Sequence, residues 1–188
     1  MLIFLAGVIL FVGTHGFVTF LRGPRNSMVQ AMGAGPFKAL VSVESLVGLG
    51  LIIWGWSTNW GTDQLYQPPE WGRHASALLM LVALALLMAS FHQNNLKRLV
   101  HHPMMASMAV WGLAHLLSNG EVRSVILFAS IGIYGALAYA AASARGEWVD
   151  PGPFERKFDF IWLASSLGTF AIVSGVHIWL LGRNIFTG

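Results

Sequence analysis

Apolar runs close to the ~20 residues that cross a bilayer as a helix recur along almost the whole of this 188-residue chain, and nothing else in it is so constraining. A soluble domain has no room for them. Only 10% of the residues are charged, against about 25% in ordinary globular domains, while 55% are hydrophobic. A segment facing lipid must satisfy its own backbone N–H and C=O groups, so the expected fold is all-α, a polytopic membrane bundle of about six transmembrane helices. The segments are 2–21, 37–56, 74–91, 103–117, 122–142 and 160–181. They read as one domain over residues 1–188, with the first an uncleaved span because no basic stretch precedes it and no small-residue cleavage motif follows. The fourth is short, and the turn Ser118-Asn119-Gly120 joins it to the fifth as a tight helical hairpin.

Basic residues set the expected orientation, since Lys and Arg accumulate on the cytoplasmic side. Arg22, Arg25, Lys38, Lys97, Arg98, Arg145, Arg156 and Lys157 fall in the first, third and fifth connections, whereas the second, the fourth and the C-terminal stretch hold only Arg73, Arg123 and Arg183. Both termini are therefore expected outside, which in a bacterial inner membrane means the periplasm. The net charge of +3 then belongs to topology, with membrane lipid and not nucleic acid as the partner. Trp54, Trp56, Trp60, Tyr66 and Trp71 cluster around the second connection as an aromatic belt. The fifth connection, 143–159, reads as a solvated linker. With no cysteine, the chain excludes disulfides, thiolate zinc sites, iron–sulfur clusters and thioether-linked haem.

Seven histidines are the most informative polar residues here, because ionisable groups inside a bilayer are costly and tend to mark function. At ~1.5 Å per residue, His15 and Glu44 each lie ~9 Å from the inner end of their segments, so the two can meet. His115 falls ~18 Å past Pro103, His177 lies towards the outer side of the last segment, and His74, His92, His101 and His102 fall at segment ends. A b-type haem in a bundle needs two neutral imidazoles from different helices, with small residues to admit the porphyrin. His15, beside Gly13 and Gly16, and His115, one turn after Gly112, meet that description best; His74 and His177 are the alternatives. The same residues also suit plain hydrogen bonds between helices, with the glycines allowing close contact. Glu44 suits three roles: fixing the tautomer of His15, carrying protons or ions, or a structural contact to Ser42, Ser45 or a carbonyl.

Other patterns carry less. His102-Pro103 after Lys97-Arg98 is like the basic entry of membrane methyltransferases, but residues 125–142 lack the charges that would contact a cofactor, so the pair reads as a helix start. Met80, Met88, Met104, Met105 and Met108 read as gap-filling core before a soft-metal path. Gly48, Gly50, Gly132 and Gly135 read as helix-packing residues.

The stretches Gln67-Pro68-Pro69-Glu70-Trp71-Gly72-Arg73-His74, His102-Pro103-Met104 and Trp111-Gly112-Leu113-Ala114-His115-Leu116-Leu117-Ser118-Asn119-Gly120-Glu121 closely resemble the NnrU family of bacterial membrane proteins. His15-Gly16-Phe17-Val18-Thr19-Phe20-Leu21-Arg22 also fits, so the resemblance covers residues 1–142, with the last helix matched loosely. That family is associated with denitrification and is similar to the haem-dependent zeta-carotene isomerase. The resemblance implies haem b held by His15 and His115, with Gly16 and Gly112 beside it, and a redox or isomerase-like role acting on a long apolar polyene. Glu44, Arg73, His74 and His177 are then left to support or replace those ligands. Where the isomerase motif has a cysteine this chain has Gly112, and Glu44 lies outside the pattern. The rival functions are a nitric oxide or redox sensor, an accessory factor without catalysis, and a transporter of small anions or of haem as cargo.

Overall fold

The computed structural model describes residues 1–58 and 60–181, the last two by their backbone alone. Each apolar segment is a helix. In chain order these are α1 (Leu2–Phe20), α2 (Arg22–Met32), α3 (Ala34–Trp56), α4 (Gly72–Phe91), α5 (Pro103–Leu116), α6 (Val122–Ala144) and α7 (Arg156–Leu181), with a short 3-10 turn at Asn95–Arg98. Five of them, α1, α3, α4, α6 and α7, are long and apolar enough to cross a membrane. At 14 residues α5 rises ~21 Å, less than a hydrocarbon core of ~30 Å. The fourth apolar segment is thus a helix too short to span alone. Pro103 starts it, where a missing N–H costs nothing, and the turn after Leu116 ends it.

The first connection, read from its charges as loop, contains α2. Pro24 suits its first turn, and Gly33, at φ +89°, ends it and turns the chain into α3. None of its residues is buried. The helix carries Arg22 and Arg25, as an amphipathic segment at a membrane surface does. Helix α7 begins at Arg156, earlier than hydropathy suggests, and the last part of the expected linker is therefore helical.

Packing orders the spans. Helix α3 lies on α1, α1 on α6, α6 on α5, α5 on α4 and α4 on α7. Between lipid-exposed helices there is little hydrophobic gain, so association depends on close van der Waals approach, which glycine permits. At Gly7 an added Cβ would stand 2.6 Å from the Ile52 nitrogen and 2.8 Å from the Gly48 oxygen, so α1 and α3 touch backbone to backbone. A second seam, at Gly112 and Gly132, joins α5 to α6.

Polar contacts close both ends. At one, Glu147 accepts from Arg22 and Arg145, each at 2.5 Å, Arg98 pairs with Asp150 at 3.1 Å, and the Asp159 carboxylate accepts from the backbone and side chain of Asn95. The first, third and fifth connections thereby meet. At the other, Arg123 donates to Glu121 at 3.0 Å and to the Trp56 carbonyl at 3.2 Å, with its guanidinium 4.6 Å over the Trp56 ring. The second and fourth connections gather there, the grouping expected from the charges.

Replacing Gly7 by Leu should separate α1 from α3 and cost at least ~1–3 kcal/mol, read as a lower melting temperature in detergent. The pH dependence of the basic end follows from Glu147. The hydrogen bond from Arg145, with the charges of Arg145 and Arg22, holds its carboxyl below the ordinary value of 4.5. A depressed folded-state pKa stabilises above the ordinary value and is lost as pH falls through the lower one. The distance between spin labels at Gly23 and Gly146 should therefore hold down to pH 5 and widen only below the ordinary carboxylate range.

Candidate functional site

Three histidines inside the helices share one arrangement. The Nδ1 atoms of His15, His115 and His177 lie 2.7, 2.9 and 3.0 Å from the carbonyls of Phe11, Trp111 and Val173, one turn earlier in each helix. A carbonyl only accepts, so Nδ1 carries the proton and donates, which in a neutral imidazole puts the lone pair on Nε2. Anchoring one ring nitrogen while freeing the other is how proteins prepare imidazole for a metal.

His115 lies in the last turn of α5, boxed by aromatic rings. Trp111 is 4.5 Å from it between centroids, Phe128 of α6 is 4.4 Å away, and the ring of His177 stands 6.5 Å away at an interplanar angle of 44°. The structure therefore brings His115 and His177 together. His15 belongs to a different level: its neighbours are Phe11 at 4.5 Å and Tyr134 of α6 at 6.1 Å. Tyr134 follows Phe128 by six residues on α6, so His15 sits ~9 Å further along that helix than His115.

The supporting residues divide in the same way. Glu44 accepts a hydrogen bond from Thr14 at 3.3 Å, so it meets the neighbour of His15 and not its ring. Beside His15, Gly16 is open, with Phe20 the nearest atom to an added Cβ at 3.8 Å. Gly112 is turned to α6, where an added Cβ would stand 2.6 Å from the Gly132 Cα; its bareness sets the α5–α6 spacing at the level of the His115 box. Arg73 and His74 are exposed in the first turn of α4.

Sequence reasoning missed the residues that hold the end of α5. The Tyr66 hydroxyl donates to the Leu116 carbonyl, with that of Asn119 at 3.0 Å, while the Asn119 amide donates to the His115 carbonyl at 2.9 Å. Gly120 lies directly under the Tyr66 carbonyl and accepts from Leu65 at 2.8 Å. Burial pushes the Tyr66 phenol up, so it stays a protonated donor. In sequence Tyr66 is one aromatic of a belt and Arg123 one charge of a loop; only the clustering of polar residues at 118–121 hints at a structured cap.

The family model described as NnrU protein matches residues 3–185. The chain belongs to the NnrU family. No curated protein and no solved structure matches it. The NnrU match runs through α7, beyond residues 1–142 that carry the motifs, and so includes His177 together with His15 and His115. Among the described residues no three His, Asp or Glu side chains gather as a metal-binding group. A porphyrin brings four nitrogens of its own and asks one or two ligands of the protein, which is the donor set these histidines offer.

Tyr66→Phe should leave the Leu116 carbonyl without its donor and lower stability by ~1–3 kcal/mol, read from the unfolding midpoint in detergent.

Proposed function

We propose that this NnrU protein binds haem b in the membrane, through His115 and His177, and serves a redox or isomerase-like role. The observation behind it is the pairing of two anchored imidazoles on different helices, their ring centroids 6.5 Å apart, with no hydrogen bond to either Nε2 among the described residues. Haem iron in such a site supplies one-electron exchange or, where a ligand is displaced, a Lewis-acid position. The chain's own part is orientation. The Trp111 carbonyl holds the His115 ring in one tautomer, Phe128 and Trp111 keep water from it, and the Tyr66–Asn119 cap fixes the turn of helix on which it stands.

His15 is the second reading for the other ligand. Its Nδ1 is anchored in the same way, and the glycines beside it leave its flank open. A link to denitrification and a polyene substrate rest on the family resemblance, and a haem-based sensor of nitric oxide or redox state is the non-catalytic form of the same proposal.

Protein purified in detergent from haem-replete cells should show a Soret band and a low-spin ferric spectrum. His115→Ala should lose the haem, and His177→Ala should lose it or leave a five-coordinate form, while His92→Ala keeps the wild-type spectrum. A low-spin spectrum surviving in His177→Ala and lost in His15→Ala would move the second ligand to α1. Absence of haem, or wild-type spectra in His15→Ala, His115→Ala and His177→Ala alike, would overturn the proposal.

A further inference from the structure

At the basic end of the bundle, away from the paired histidines, a cavity of about 370 Å³ opens between the end of α4, the start of α5 and the connection before α7. Its size falls within the roughly 300–1,000 Å³ of small-molecule sites. Ser90, Lys97, His101, His102, Met104 and Trp148 are among the residues that line it. The chemistry of the wall is uneven. Lys97 donates one hydrogen bond, to the Ser90 carbonyl at 3.2 Å, and an ammonium has three protons. No carboxylate among the described residues pairs with it. The acids nearby are already engaged, Glu147 by Arg22 and Arg145, Asp150 by Arg98 and Asp159 by Asn95, and Lys97 is the one charged side chain among the residues that line the opening.

Two further features point to an acceptor ligand. Nε2 of His102 is buried with no hydrogen-bond partner, and an orphaned buried polar atom is costly unless something fills the role. His101, exposed to solvent, is stacked on Trp148 at 4.1 Å between centroids, which holds its ring at the mouth of the cavity. The remaining wall, Pro103, Met104, Met105, Val149 and Pro151, is apolar, and Phe91 and Leu99, close in sequence to Ser90 and Lys97, are exposed. A polar head and an apolar tail would both be accommodated.

We infer that this cavity binds the phosphate headgroup of an anionic phospholipid from the adjoining leaflet, with Lys97, His101 and His102 contacting the phosphate and Met104, Met105 and Val149 the start of the acyl chains. A basic pocket between helices at the membrane surface is suited to such headgroups. Nothing in this assignment depends on haem.

The test is native mass spectrometry of the detergent-solubilised full chain, titrated with phosphatidylglycerol and with phosphatidylcholine of the same acyl chains. Phosphatidylglycerol should bind with one tight site and phosphatidylcholine at least tenfold more weakly. The pair Lys97→Gln and His101→Gln should lose that preference at least tenfold, Lys97→Arg should keep it, and Lys38→Gln, the same charge change on exposed α3, should not alter it. Independent of any variant, a photoactivatable phosphatidylglycerol should crosslink wild-type protein within residues 97–105 or 148–151. Equal binding of the two lipids, crosslinks confined to other segments, or displacement of phosphatidylglycerol by inorganic phosphate at equal concentration would overturn the assignment, the last in favour of free phosphate.

Discussion

Backbone contact between helices, made through glycine, is what the rest of this bundle depends on. Lipid tails are as apolar as leucine, so helices in a bilayer gain little by hiding side chains from one another and must gain by touching closely. Gly7 against Ile52 and Gly48, and Gly112 against Gly132, bring α1 to α3 and α5 to α6 at a distance where a single methyl would collide. These seams fix not only which helices are neighbours but at what height each residue meets the next. The level of His115 against Phe128 follows directly from the Gly112 crossing, three residues earlier on the same helix.

The two ends of the bundle are held by different chemistry. At the basic end three connections are joined by arginine–carboxylate pairs and by Asn95 on Asp159, contacts open to water and screened by salt. At the other end the contacts are drier: Arg123 over Trp56, Tyr66 on the end of α5, and the bridge between Gln64 and Glu121. The histidine pair lies under that drier cap and the cavity lined by Lys97, His101 and His102 at the wetter end.

Short α5 has a consequence for both. Its 14 residues bring its two ends closer together than those of its neighbours, so Pro103 at the cavity and His115 at the aromatic box belong to one rigid rod. Its C-terminal end is level with the start of α4, where Gly72 meets the Leu117 carbonyl, and the second connection caps it there through Tyr66, against Gly120 of the fourth.

Much of this was legible in the sequence. Hydropathy is a local property summed along one helix, so it located all the spans, the hairpin of α5 and α6 and the separation of basic from aromatic ends, and it singled out the helix-interior histidines. The NnrU motifs carried the family. Tertiary structure decided the rest: that α2 is helical, that Glu44 meets Thr14, that Gly112 is spent on α6, and that the ring beside His115 is His177 while His15 lies at another level. Depth counted from a helix end gives height but not direction, and two residues meet only if their helices are neighbours turned to face each other. In this chain those choices are set by where glycine seams let backbones cross, a relation between distant residues that no reading along one segment contains.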